Sequence, residues 1–446
     1  MSLGGWRVAA CGVLMATWWV TEAIPIPATA LVPLLAFPLL GVGSIDDTAA
    51  PYANPVIYLF MGGFMIAGAL QASGLHRRIA LAIIGVVGTK PVNLVGGFMI
   101  ATALISMWVS NTATVVMMLP MVLSVIALTE GEPDHDFDVA LLLGVAYAAS
   151  IGGLGTIVGT PPNALLVGFL DETYGIEIGF GEWMLVGVPL VIVSLPLTWL
   201  LLVRLHPPKA KDLGAGREMI RRERQSLGRV SHRERIVGTI TVAVALAWVT
   251  RPFLEDLIPG LSDAGIAVAG AVLLFFVPVR WRPLEFGLAW RDADKLPWSI
   301  LLLFGGGLSL ADAIQRTGLA AWIGEAISRF EALPIVLLTL IVTTVVIFLT
   351  ELTSNTATAA TFLPVVASLA VGMGHAPMVL AVPAALAASC AFMMPVATPP
   401  NAIVYGSGRV AIVEMVRAGI WLNLLMIVLI EIAVFTLAIP LLGSAN

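Results

Sequence analysis

The sequence predicts an all-α polytopic membrane protein of two inverted-topology repeats, each holding a re-entrant hairpin and a broken helix. Three observations predict it. First, the 446 residues are 59% hydrophobic and only 11% charged, with a mean hydropathy of +0.98, whereas soluble chains carry about 25% charged residues. Second, Ser110-Asn111-Thr112-Ala113-Thr114 returns as Ser354-Asn355-Thr356-Ala357-Thr358, 244 residues on. Third, the apolar runs 92–128 and 333–371 are too long for one span, and each carries that polar motif in its middle.

The length suffices for about ten spans of roughly 20 residues plus two hairpins. Met1 to Ala10 lack the basic stretch and cleavage site of a signal peptide, so the run from Trp6 is expected to be a first membrane helix. Further apolar runs fall near 55–70, 139–168, 184–203, 236–250, 263–279, 298–314, 378–408 and 419–442. The repeat reaches beyond the Ser-Asn-Thr copies. Gly62-Gly63-Phe64 through Gly74-Leu75 parallels Gly306-Gly307-Leu308 through Gly318-Leu319 at the same spacing, and Trp19-Val20-Thr21 echoes Trp248-Val249-Thr250. Self-similarity of this kind marks repeated architecture. The domains expected are a first membrane repeat over 1–203, a linker over 204–235 and a second membrane repeat over 236–446.

The linker holds ten Lys and Arg residues, from Arg204 to Arg235. It is expected to be a solvated connector with an amphipathic surface helix, and the positive-inside rule puts it in the cytoplasm of a plasma-membrane protein. His76-Arg77-Arg78, Lys90, Arg280, Arg282, Arg291 and Lys295 would share that side. Asp171-Glu172 to Glu182 and Glu255-Asp256 to Asp263, poor in Lys and Arg, suit the opposite side, and the loop Glu130 to Asp134 is acidic too. Cys11 and Cys390 lie in apolar stretches and read as small core residues.

In each hairpin run a polar tip interrupts the hydrocarbon-compatible sequence. Non-helical backbone at that depth is tolerated only when buried in protein or lining a wet cavity. Each motif is followed by Leu-Pro (Leu119-Pro120, Leu363-Pro364) and later by Thr-Pro-Pro-Asn-Ala (160 to 164, 398 to 402). Paired prolines just after Gly159 or Ala397 are expected to break the helix and free carbonyl oxygens. An odd number of full spans plus one hairpin per half would insert the two halves in opposite orientations.

The chemistry of these groups is two-sided. Unwound carbonyls and helix C-terminal ends bind sodium in transporters, while helix N-termini face anions. Asn offers an oxygen to a cation and an NH₂ to an anion, and Thr offers a hydroxyl. Two such sets suit an anion with two acidic ends. No Lys or Arg falls inside a hairpin, so cotransported cations would have to balance the anion. Glu22 and Glu351 lie in or near apolar runs, where a carboxylate is a functional candidate by default; Glu351 could instead cap or brace its hairpin. Glu431 and Arg417 read as structural.

These residues resemble the divalent anion/sodium symporter family, the bacterial relatives of sodium–dicarboxylate cotransporters. The resemblance rests on Trp18-Trp19-Val20-Thr21-Glu22-Ala23-Ile24-Pro25-Ile26-Pro27, both Ser-Asn-Thr motifs and both Thr-Pro-Pro-Asn motifs, and runs through essentially the whole chain. It implies a homodimer in the lipid bilayer with scaffold and transport domains and elevator-type alternating access. It also implies one sodium site per repeat. The first would use Ser106, Ser110, Asn111 and the Gly159 carbonyl; the second Thr350, Thr353, Asn355 and the Ala397 carbonyl. The substrate carboxylates would meet Asn111 and Thr112 on one side, Asn355 and Thr356 on the other, with Pro399 nearby. The family's usual helix before the Trp-Trp-Val-Thr-Glu segment is expected to be missing here.

The implied activity is import of C4 dicarboxylates such as succinate, fumarate and malate, coupled to sodium. A sodium-independent exchanger and a sulfate or citrate transporter are the in-class alternatives. An enzyme is disfavoured: the five histidines form no His-Glu-x-x-His pattern, no Gly-x-Ser-x-Gly elbow occurs, and the four lysines fall in loops. Nothing in the composition suggests a nucleic-acid partner, and hinged hairpins suit alternating access better than a channel.

Overall fold

The computed structural model describes residues 1–127, 134–209, 214–255, 257–294, 296–327 and 333–443. The acidic stretch 130–133 and Lys211, Asp256 and Lys295 lie outside the described residues. Helices dominate. Among the described residues, seven are long and apolar enough to cross a membrane by length and composition, and shorter apolar helices accompany them. Several apolar runs are divided into pieces of 10–17 residues. Among the described residues, the one departure from all-α is a small antiparallel ribbon, Pro278–Trp281 with Leu284–Phe286, pairing Trp281 with Leu284. Its Val-Arg-Trp and Leu-Glu-Phe segments alternate a charged residue with apolar ones, a strand pattern.

The helices recur in order. Helix α1 (Pro55–Ser73) corresponds to α8 (Trp298–Arg316), and the hairpin arms α2 (Pro91–Ser106) and α3 (Asn111–Ile126) to α9 (Ile335–Thr350) and α10 (Asn355–Gly372). The broken pair α4 (His135–Gly153) and α5 (Pro161–Tyr174) corresponds to α11 (Met378–Ala388) and α12 (Pro399–Tyr405), and α6 (Phe180–Leu205) to α13 (Ile412–Ala433). Helix α7 (His232–Leu254) carries the echoed Trp248 as the helix Leu3–Thr21 carries Trp19.

Small features recur with the helices. Gly74 and Gly318 end α1 and α8 at φ +77° and +74°, a left-handed turn that a Cβ disfavours. Ser124 and Ser368 donate to the carbonyls of Pro120 and Pro364 inside α3 and α10. Trp19 and Trp248, the echoed tryptophans, are both buried, and each indole donates to a backbone carbonyl, of Ile26 and Asp263.

A 16-residue arm is roughly 24 Å long, short of a hydrocarbon core of about 30 Å. The arms α2 and α3 are of this length, and the chain turns at 107–110. The core surrounds the two broken helices: every described residue from Phe137 to Thr160 is buried, as is all of α11. Small residues permit this. A Cβ on Gly152 would sit on the Ala103 backbone of α2, so α2 and α4 approach as closely as small-residue membrane interfaces allow. Cys11 and Cys390 are free, buried thiols.

The linker carries a helix, Gly214–Ser226. Its entry is anchored where Lys209 Nζ meets Asp136 at 2.9 Å, which holds the ammonium above its usual pKa, while burial pushes the His206 imidazole down.

Candidate functional site

The two hairpin tips and the two helix breaks meet around one cavity of about 980 Å³. The first half lines it with Ser110, Asn111, Thr112, Gly159, Thr160 and Pro161. The second half lines it with Thr353, Ser354, Asn355, Thr356, Ala397, Thr398 and Pro399. Val20, Thr21, Glu22, Ile26, Phe64, Pro297 and Ile300 also contribute to the wall. Neither Lys nor Arg lines it among the described residues.

Four helices start at this cavity. Asn111 and Asn355 open α3 and α10, and Pro161 and Pro399 open α5 and α12. Their N-termini bring partial positive charge and free backbone N–H groups to the cavity wall. Ser110 caps α3 by accepting from the Ala113 N–H at 3.4 Å, whereas Ser354 makes no such bond. The prolines sit at N1 and N2 of α5 and α12, where a missing donor costs nothing. They begin the second piece of each broken helix. The unwound segment lies before them, at 154–160 and 389–398, between α4 and α5 and between α11 and α12.

Behind the wall the grouping changes to oxygen. Ser106 Oγ lies 2.6 Å from Asn111 Oδ1 and 2.8 Å from the Ala149 carbonyl. Thr350 Oγ1 lies 2.8 Å from Asn355 Oδ1 and 3.0 Å from the Ala388 carbonyl. A hydroxyl has one proton to donate, so in each half three oxygens share a single hydrogen. Gly159 adds another in the first half: a Cβ on Gly153 would stand 3.0 Å from both Asn111 Oδ1 and the Gly159 carbonyl. Only glycine leaves that cradle open. Such oxygen-rich spots near helix C-terminal ends fit a bare monovalent cation.

Ser106 and Thr350 thus stand behind the cavity, holding the asparagine oxygens, while Ser110, Asn111, Gly159, Thr353, Asn355 and Ala397 reach its lining. Thr353 also shares a 2.6 Å hydroxyl contact with Thr358. Thr112, Thr356 and Pro399 face the cavity.

Sequence reasoning named the Thr-Pro-Pro-Asn motif but gave its asparagines no task. Asn163 Nδ2 donates to the carbonyls of Gly153, Leu154 and Thr156 at 3.2, 3.4 and 2.9 Å. Asn401 Nδ2 donates to Ala391 and Met394 at 3.2 and 3.1 Å. Gly153 and Ala391, and Thr156 and Met394, stand 238 residues apart, like the asparagines themselves. Each side chain staples the unwound segment, and each leaves a buried Oδ1 without a partner. The duplication of the motif was the signal that could have found them. The Ala149 and Ala388 carbonyls carried no signal.

Glu351 takes the bracing role. Its carboxylate accepts from the backbone N–H groups of Phe392, Met393 and Met394 and from Asn423 Nδ2, at 2.7–3.1 Å. Glu22 is exposed on the cavity wall at φ +49°, a conformation uncommon for non-glycine residues. Glu431 accepts from Thr339 and Thr343 of α9, a structural tie between α13 and the hairpin.

A helical membrane protein of two repeats, with broken helices and hairpin tips converging on one polar cavity, has the build of a secondary transporter. Residues 1–443 match the family described as the sodium:sulfate symporter transmembrane region, and the chain belongs to that family. It is 43% identical over 449 residues to the sodium-dependent dicarboxylate transporter SdcS of Staphylococcus saprophyticus, covering 98% of this chain and 86% of that protein. It is 41% identical over 444 residues to the protein of the same name from Staphylococcus aureus USA300, covering 97% and 85%. Among solved structures, the YdaH transporter of Alcanivorax borkumensis superposes with a TM-score of 0.58 at 15% identity, covering 94% of this chain and 97% of that one. At that identity the likeness speaks for the fold alone.

Proposed function

We propose that this protein is a secondary active transporter that carries C4 dicarboxylates such as succinate, fumarate and malate together with sodium. One observation carries the reading: a single cavity walled by helix N-termini from both halves, with an oxygen cluster behind each wall. The names of the staphylococcal relatives support the same substrate class and the same ion.

In this reading Asn111 and Thr112 receive one carboxylate and Asn355 and Thr356 the other, with Pro399 beside the substrate backbone. Sodium occupies Ser106, Ser110, Asn111 and the Gly159 carbonyl in the first half. It occupies Thr350, Thr353, Asn355 and the Ala397 carbonyl in the second. Each asparagine serves the ion with its oxygen and the anion with its nitrogen. With no cationic side chain on the lining, sodium supplies the balancing charge, so empty sites disfavour the dianion. The repeats over 1–203 and 236–446 insert with opposite orientations in the plasma membrane, the linker over 204–235 faces the cytoplasm, and a homodimer works by elevator motion.

Uptake of labelled succinate into proteoliposomes tests this. Sodium should drive it, and replacing sodium by potassium or choline should abolish it. Succinate uptake that persists in choline and needs internal dicarboxylate would replace the reading by exchange. The family's description favours sulfate as a second substrate class. Competition of succinate, malate, citrate and sulfate against labelled succinate decides it, and inhibition by sulfate rather than malate would overturn the dicarboxylate assignment.

A further inference from the structure

A second cavity, of about 700 Å³, shares no lining residue with the first and lies between the linker helix Gly214–Ser226 and the helix Leu75–Ile84. Its lining joins Arg221 and Arg224 to the apolar Ile84, Ile220, Leu227 and Val230. The neighbouring acids are already committed. Glu223 pairs with Arg77, Glu218 with Arg222 at 3.2 Å, and Glu234 with Arg78 at 2.8 Å. Arg78 is used up as well, since it also donates to the Leu227 and Gly228 carbonyls. Arg221 and Arg224 have no carboxylate within ion-pair distance among the described residues. Arg224 turns inward: a Cβ on Gly85 would meet its Nη1 at 3.3 Å.

The cavity lies in the layer where several apolar helices begin or end. The helix α1 ends just before this layer, at Ser73, and α2 and α7 begin just after it, at Pro91 and His232. Beside it Ile79 and Val86 are 41% and 84% exposed, apolar surface suited to lipid. On the other side of the same turn, which Gly88 makes at φ +88°, runs an apolar groove of about 360 Å³. Val87, Ile100, Leu195 and Trp199 line it. A charged pocket and a greasy groove on either side of one short turn match the two ends of an amphiphile. Basic pockets at this level attract anionic headgroups, by about a factor of five per arginine.

We propose that this pair of cavities binds one anionic phospholipid, its phosphate between Arg221 and Arg224 and an acyl chain in the groove beside Val87. The shared chemistry is phosphate on guanidinium, which free phosphate also possesses; the groove selects the lipid. A lipid seated there joins the linker helix to the base of the first hairpin.

The test uses the full-length protein in uncharged detergent, with retained lipid counted by native mass spectrometry. This readout needs no transport, so it stands whether or not the transport reading holds. Phosphatidylglycerol should be retained and phosphatidylcholine should not, and inorganic phosphate should leave the melting temperature unmoved. R221Q/R224Q should weaken phosphatidylglycerol retention by roughly 30-fold, while R221K/R224K, which keeps the charge, should lose less than tenfold. The single variants R221Q and R224Q, both at exposed positions, give intermediate losses. Equal retention of the two lipids, an unchanged double Gln variant, or an equal response to inorganic phosphate would each overturn the proposal.

Discussion

The two helix breaks serve the same geometry but are held open by different means. In the first half the unwound segment closes on itself through glycine. Gly153 and Gly159 approach so tightly that a Cβ on either would press on the other's backbone. Neutral donors finish the job: Thr156 Oγ1 donates to the Met107 carbonyl at 2.5 Å and Trp183 Nε1 to the Leu154 carbonyl at 3.1 Å. In the second half Ala391 and Ala397 stand where those glycines would be. Their methyl groups forbid the same closure. The freed N–H groups of 392–394 point instead to Glu351, whose counterpart 244 residues earlier is Met107. One sequence difference, a pair of glycines against a pair of alanines, thus coincides with a buried carboxylate. Where backbone cannot meet backbone, a charged acceptor takes the orphaned donors, and charge-assisted bonds are the strong ones.

The comparison can be broken most sharply at the asparagines shared by both halves. N111A and N355A should each lower sodium-driven succinate uptake by more than about 100-fold, because each removes a group bonded to the hydroxyl behind it. Near-normal uptake in either would mean that the halves do not share the work. Next comes the brace. E351Q places an amide NH₂ against N–H donors and should destabilise the protein by about 3 kcal/mol, read as a lower melting temperature in detergent. M107L, at the matching position, should cost less than about 1.5 kcal/mol. Equal effects would dissolve the contrast between the halves.

The glycine cradle gives the third prediction. G153A should raise the half-saturating sodium concentration about tenfold or more, since its methyl would stand 3.0 Å from two candidate ion ligands. A391G should leave sodium affinity within about twofold and cost about 0.5–1 kcal/mol in stability through added chain entropy. The reverse pattern would move the ion site to the second half alone. The staples give the fourth prediction. N163A and N401A should each cost about 1–3 kcal/mol by releasing buried carbonyls, and they should agree within about 1 kcal/mol because the bonds are mirrored.

Much of this was legible in the sequence. The hairpin tips fell where the duplicated motif interrupts the apolar runs, since hydrocarbon tolerates polar backbone only where protein or water receives it. The breaks fell beside the paired prolines. Their position needed correction by one step, because proline opens the following helix and does not itself end the preceding one. Where an apolar run divides into pieces of 10–17 residues was not legible, since an apolar run does not reveal whether it is one rod or two. The ribbon at 278–286 was missed because it is short and flanked by helices.

The sequence by itself determined the fold class, the duplication and the polar motifs that come together at the cavity, because hydropathy and spacing are properties of the chain. The tertiary structure alone decided which backbone carbonyls join them and what steadies each break. Ala149 and Ala388 contribute only a carbonyl, which every residue carries, so no sequence pattern can single them out. Glu351 became a brace because residues 41–72 positions away fold back onto it. The physical reason is the same in both cases: a side chain announces its chemistry, but an oxygen becomes a ligand, and a buried charge becomes tolerable, only through the neighbours that folding supplies.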